Sequence, residues 1–183
     1  MRRGSSILLF FAFAIFLPIT HSAVLINEIL ANGLNDPNSE WVELYNNDSS
    51  IANLSGWSLS ETSSSNFTFN ATIPTRGFII LAVDHATFNS TYPNVNQSNV
   101  SVIDITASSF SLSDSDGEVT LYNSTSIIDS LSYAQASGKS FENISIGRYP
   151  DGASKIANLS ALTPGSKNDN QAPQLKWINP SKN

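Results

Sequence analysis

The sequence predicts an all-β fold, a sandwich or barrel of eight or nine short strands, and three observations predict it. In the two segments that carry most of the tryptophan, apolar and polar residues alternate with period two. Val42 and Leu44 share one face of the first against Trp41, Glu43 and Tyr45, while Trp57 and Leu59 share a face of the second against Ser58 and Ser60. Clusters of Asn, Asp, Ser, Gly and Pro punctuate the chain between such runs. No segment sustains a helical period, and no repeat of fixed length points to a propeller or solenoid.

The elements follow in order. Val24 to Ile29, rich in branched residues, is the first strand, and a loop from Asn32 to Asn38 holds Pro37. The segments around Trp41 and Trp57 are expected to be neighbouring strands about the polar connection Asn46 to Ser50. Phe67 to Phe69 alternates, and Pro74 ends the following strand at Ile73 because proline has no N–H to give a ladder. Arg76 and Gly77 turn the chain into Phe78 to Val83, an unbroken apolar run suited to a strand covered on both faces. Asp84 to Phe88 is expected to form a short helical turn, and Val100 to Ile105 a strand. Asp116 and Gly117, between Phe110 to Leu112 and Glu118 to Tyr122, predict a hairpin, since glycine supplies the positive φ of a primed turn. Ile127 to Tyr133 is the next strand.

The first residues read as an export signal rather than as part of the fold. Arg2 and Arg3 precede an apolar run from Ile7 to Leu17, then Pro18 and small residues near Ser22. Residues 1–22 are therefore expected to be a signal peptide, cleaved after Ser22 or Ala23, and no membrane span is expected in the mature chain. Without the two arginines, seven Lys and Arg face fifteen Asp and Glu, a net charge near −8. Such a surface repels phosphate backbones, so nucleic acid is not an expected partner. The chain has no cysteine, which excludes disulfides, thiolate metal sites and cysteine nucleophiles. Its own core must hold it, and a chain of this length can build one.

Ten Asn-X-Ser/Thr sequons begin at Asn47, Asn53, Asn66, Asn70, Asn89, Asn96, Asn99, Asn123, Asn143 and Asn158. That is roughly twice what composition alone gives, and beside an export signal it suggests N-glycosylation. The competing reading is a set of β loops that are simply rich in Asn and Ser.

An ordered set of pieces carries a resemblance. Val24 to Ile29, Glu40 to Asn46, Leu54 to Leu59, Phe78 to Ala82, Asp116-Gly117, Ile128-Asp129, Arg148 to Gly152 and Thr163 to Asn168 together resemble the lamin tail domain family. The resemblance implies an immunoglobulin-like β-sandwich over residues 23–168. The chain lacks the heptads of a lamin rod and carries an export signal instead, so it is similar to the secreted microbial members. In those, the domain is a non-catalytic module of surface or exported proteins, some of them nucleases or other hydrolases. Residues 169–183, with Leu175, Trp177 and Ile178, resemble a linker and the first strand of a further immunoglobulin-like domain, which favours a longer parent protein.

Catalytic chemistry is thinly supplied. The mature chain has one histidine, His85, and no nucleophile elbow, zinc-helix motif or phosphate loop, so no catalytic residue and no cofactor are expected. Asp114, Asp116 and Glu118 are closely spaced oxygen donors that a calcium ion would suit, but Leu112 stands where a calcium loop needs another donor, and a plain turn is preferred. Glu28, Glu40 and Glu43 would approach one another if their strands pair. The preferred alternative places Glu43 on a partly exposed face and has Glu28 accept from a loop's backbone. Asp129, in phase with Ile127, Leu131 and Tyr133, is expected to face inward and to need Arg148 as a partner. Trp41 and Tyr45 are candidates for a sugar-stacking platform, against a role in covering the sheets. The expected function is a secreted or cell-surface module for protein or surface recognition, attachment or spacing, with an unidentified protein or glycan partner outside the cell. The rivals are an accessory module of a longer exported hydrolase or nuclease, and a glycan-binding domain.

Overall fold

The computed structural model describes residues 24–168, apart from 35–37, 63, 65, 96–99, 107, 125, 135–141 and 160. The expected signal peptide and the segment 169–183 lie outside the described residues, as do Asn96 and Asn99. Twelve strands and one helix are described: β1 (Val24–Leu30), β2 (Trp41–Asn46), β3 (Ala52–Asn53), β4 (Trp57–Glu61), β5 (Phe67–Phe69), β6 (Thr72–Ile73), β7 (Phe78–Ala82), α1 (His85–Thr91), β8 (Ser101–Asp104), β9 (Asp116–Asn123), β10 (Ser126–Ala134), β11 (Ser145–Arg148) and β12 (Ile156–Leu159). A six-stranded sheet in the order β12-β11-β1-β2-β7-β8 packs on a four-stranded sheet in the order β10-β9-β4-β5, and β3 with β6 forms a small ladder. The arrangement is an immunoglobulin-like β-sandwich.

The core lies between the sheets. Val42, Leu44, Ile79 and Leu81 of the larger sheet meet Leu59, Phe69, Val119 and Leu121 of the smaller, all buried. Alternation thus does what period two requires, with one face of each strand inward. The larger sheet is covered on its second face as well. Leu30, Trp41, Ile80 and Ala82 pack there against Phe88 of α1 and Val95, with Tyr92 and Leu162 at the margin. Trp41 stands edge-on to Phe88 and Tyr92, at centroid distances of 6.4 and 6.3 Å. Helix α1 starts where Asp84 caps it, its carboxylate accepting from Thr87 N at 2.7 Å. The helix carries the chain from β7 to the parallel strand β8.

Two bulges set which side chains meet. In the β1–β2 pair Ile26 faces Leu44 and Glu28 faces Glu43, so Asn27 is the extra residue. The bulge lets Val24 and Ile26 on one side of it, and Ile29 and Ala31 on the other, reach the same core. It also turns Glu28 to the second face, under residues 163–168. In β10 the register shifts between Ile127 and Asp129, so Ile127 falls out of phase and is 66% exposed while Leu131 and Tyr133 stay buried.

The two tryptophan strands are not neighbours. Strand β2 lies in the larger sheet and β4 in the smaller, because the connection between them carries β3 and crosses from one layer to the other. The hairpin expected at Asp116-Gly117 is also displaced. Those residues open β9 and pair with Ala134 and Tyr133, and the chain reverses between Asn123 and Ser126, where Ser124 takes a φ of 56°. Gly117 is glycine for want of space: a Cβ there would lie 2.6 Å from the Tyr133 hydroxyl and 2.2 Å from Glu61 Oε1.

Candidate functional site

The densest polar cluster lies on the second face of the larger sheet, where β1, β2 and β11 are crossed by residues 163–168. Glu28 and Glu43 sit opposite each other in the ladder, and both are fully buried. Glu43 accepts from the Asn27 side-chain amide at 2.8 Å and from Gly165 N at 2.7 Å. Glu28 accepts from the Ser145 hydroxyl and from Thr163 N at 3.3 Å, and its other oxygen lies 2.6 Å from Thr163 Oγ1. Asn27 also donates to Asp151 at 3.0 Å and accepts from Gly152 N at 3.1 Å. Asn168, likewise buried, donates from its side chain to the Arg148 carbonyl at 2.9 Å and from its backbone to Asp151 at 3.0 Å. Gly152 and Gly165, with φ of +69° and +73°, aim their N–H groups into the cluster in a conformation other residues rarely adopt.

Neither carboxyl has an ion-pair partner among the described residues. Burial therefore raises both above the ordinary range: Glu28 is pushed up to about 7, and Glu43 is raised well up by burial and by Glu28 facing it. The sequence expectation for these acids is corrected in two respects. Glu43 is not on a partly exposed face, because α1 and residues 162–168 cover that side of the sheet. Glu40 does not join the other two, since its carboxylate accepts from Leu112 N at 2.9 Å instead.

A second acid, half-buried, is matched differently. Asp129 forms an ion pair in which Arg148 Nη2 donates to both carboxylate oxygens, at 2.9 and 3.0 Å, as its phase in β10 predicts, and it accepts from Ile26 N at 2.8 Å. Arg148 also donates to the carbonyls of Ile26 and Ala153. The pair thereby ties the two sheets together at the open backbone of the bulge.

The candidate calcium donors do not gather. Asp114 and Asp116 are exposed, Glu118 accepts from Ser132 at 2.7 Å, and among the described residues no three or more His, Asp or Glu side chains converge to hold a metal ion. A cleft of about 380 Å³ opens beside them, with Glu61 and Tyr133 at its buried end. Burial and the Glu61 carboxylate push the Tyr133 phenol far above its ordinary value, and its hydroxyl accepts from Ser113 N and donates to Glu61. His85 lies half-buried in the first turn of α1, with the Asn89 side-chain amide 3.1 Å from its ring. No hydroxyl or carboxyl is hydrogen-bonded to that ring among the described residues, so the nucleophile–base–orienter geometry of covalent catalysis is not assembled there.

The proposed sugar-stacking platform is overturned. Trp41 is 0% and Tyr45 6% exposed, so neither offers a ring face to a ligand. The second layer over β2 buries the face that alternation alone leaves open. Beside that layer, a cleft of about 300 Å³ separates the end of α1 from Leu162 to Pro164. The Trp41 indole N–H is buried nearby, on the side of the Tyr92 ring. The eight described sequon asparagines, by contrast, are all exposed or half-exposed. Asn53 and Asn70 turn their amide oxygens to the Ser55 and Gly56 backbone at 3.1 and 2.9 Å. This leaves the nitrogen, the atom an N-linked sugar uses, without a partner among the described residues.

Comparison with family models now decides the affiliation. The model described as Lamin Tail Domain matches residues 18–135. This chain belongs to the lamin tail domain family. No curated protein matches it significantly. The lamin tail match ends before β11, yet the sheet continues: β11 pairs with β1 and β12 with β11, and residues 163–168 bond to Glu28, Glu43 and the Arg148 carbonyl. The buried network of this lamin tail domain draws on pieces that sequence reading names separately, among them Arg148 to Gly152 and Thr163 to Asn168. What sequence reading misses is their convergence on Glu28 and Glu43. The signal available for it was the cluster of small, hydroxyl and amide residues in both pieces.

Proposed function

We propose that this lamin tail domain is an exported, non-catalytic module, held on or released from the cell surface, that serves recognition, attachment or spacing. The observation that carries the reading is the distribution of its asparagines. Among the described residues the three fully buried ones, Asn27, Asn46 and Asn168, are not sequons, whereas every described sequon asparagine reaches the surface. A chain that carries N-linked sugars must keep them out of its core, and the described sequons meet that requirement. The non-catalytic part of the reading rests on how the buried and half-buried acids are used. Glu28, Glu40, Glu43 and Asp129 all accept hydrogen bonds from neighbouring strands and loops, which is the work of a scaffold.

The test is the mass and peptide map of the protein recovered from its native host, before and after deglycosylation. The expected result is protein outside the cytoplasm that begins near Ala23 and carries sugar on Asn53 or Asn70. An intact residue 1 together with unmodified peptides at every sequon would sink the proposal. The rival, an accessory module of an exported hydrolase or nuclease, predicts a polypeptide mass well above that of residues 23–183.

A further inference from the structure

The Thr163 hydroxyl poses a counting problem. Its oxygen lies 2.6 Å from Glu28 Oε2 and 2.5 Å from Asn168 Oδ1, and both distances are hydrogen bonds. A hydroxyl has one hydrogen to give and can accept others. Asn168 Oδ1 has none to offer. Its amide cannot be turned around, because Asn168 Nδ2 donates to the Arg148 carbonyl and a reversed amide would set oxygen against oxygen. The threonine hydrogen therefore belongs to Asn168, and the hydrogen between Thr163 and Glu28 must come from the acid.

We infer that Glu28 is a proton-binding site that latches residues 163–168 onto the sheet: the Oε2 hydrogen donates to Thr163, Thr163 donates to Asn168, and loss of that hydrogen loosens the latch. The remaining contacts agree. Oε1 is the carbonyl-type oxygen, accepting from the Ser145 hydroxyl and Thr163 N. Both oxygens of Glu43 face N–H donors, Asn27 Nδ2 and Gly165 N, so the hydrogen-bond pattern puts the pair's hydrogen on Glu28. The other groups turned toward Glu28 are acidic or weakly acidic: Glu43 on β2, Asp151 in the turn after β11, and the Tyr92 phenol at the end of α1. On β11, the Arg148 guanidinium is held by Asp129 and two carbonyls. A second negative charge opposite Glu43 would meet no cation among the described residues, and burial favours the neutral acid. The two carboxyls titrate as a unit, with apparent values that belong to the pair. This inference does not depend on export or on glycosylation.

The experiment is a carbon-13 NMR titration of the side-chain carboxyls in the full chain between pH 4 and 9. Glu28→Gln and Glu43→Gln assign the signals, and hydrogen exchange at Thr163 and Gly165 is followed in parallel. The Glu28 carbon is expected to titrate near neutrality. The opening constant of the segment, corrected for intrinsic exchange, is expected to rise by up to about tenfold per pH unit between about pH 5 and 7. Glutamine reproduces the neutral acid, with its carbonyl accepting and its NH2 donating to Thr163, so Glu28→Gln should keep the segment protected at pH 8. A Glu28 carbon that titrates in the ordinary carboxylate range overturns the inference. So does a Glu28→Gln protein whose segment opens tenfold or more above wild type at pH 6. Because the carbon titration is read on the wild-type protein, it stands even if a variant fails to fold.

Discussion

Two acidic centres, one buried and one half-buried, lie within a few residues of each other along β1, and the chain neutralises them by opposite means. At the Ile26 bulge, Asp129 meets a guanidinium that also satisfies two carbonyls. At Glu28 and Glu43, two acids face each other with hydroxyls, amides and backbone N–H groups around them and no base among the described residues. A charge-matched centre is costly to break by removing one partner, because the other is left buried and alone. A proton-matched centre is indifferent to such a loss of charge but sensitive to the medium, because its neutrality is borrowed from solvent. The first is suited to hold the two sheets together wherever the acid is ionised. The second is suited to a segment whose docking responds to pH.

The largest effect should come from the charge-matched centre. Arg148→Met leaves Asp129 without its cation and two carbonyls without donors, and should cost about 3–5 kcal/mol in urea unfolding at pH 7. A loss below about 1 kcal/mol would show that water reaches Asp129 readily enough to replace the arginine.

The proton-matched centre should show itself next, in the pH dependence of the unmodified protein. The sign follows from where the proton sits. The folded Glu28 keeps its hydrogen up to about 7, while in the unfolded chain it leaves near the ordinary value of 4.5. Below both values the contribution is fully present, and it is lost as pH rises through the interval. Stability should fall by the order of 1–3 kcal/mol between about pH 5 and 7.5. Glu28→Gln should flatten that fall, and thermal unfolding across the range reads both.

Smaller effects sharpen the contrast. Thr163→Val removes the hydroxyl that joins Glu28 to Asn168 and should cost about 1–2 kcal/mol, with Thr163→Ser restoring most of it. At the exposed turn, Asn70→Gln loses a bond to Gly56 that water can replace, and its unfolding midpoint should move by about 0.5 kcal/mol or less.

Much of this fold could be read in advance. The apolar run at Phe78 to Val83 anticipates a strand covered on both faces, and β7 is one. The Asp129–Arg148 pair could be anticipated too, because a carboxylate in phase with Leu131 and Tyr133 must find a cation. Asp116-Gly117 misled for a physical reason. A glycine beside an aspartate signals a turn when the glycine is there for its φ, but Gly117 is there to make room for Tyr133 and Glu61. Ile127 misled because a bulge one residue away broke the alternation.

By itself, the sequence determined most of the strands, though not β3, β11 or β12, together with the family and the absence of any thiol chemistry. Those depend on residue type and on neighbours a few positions away, where period two and turn chemistry act. Only the tertiary structure decided what covers the second face of the larger sheet. That depends on α1 and on residues 162–168, which are remote in the chain from β1 and β2. The same cover buries Trp41, while Tyr45 packs against Phe78 and beside Gly152, and alternation alone leaves both available to a ligand. It also takes Glu28 and Glu43 out of water, and with the water goes the screening that would have let both stay charged.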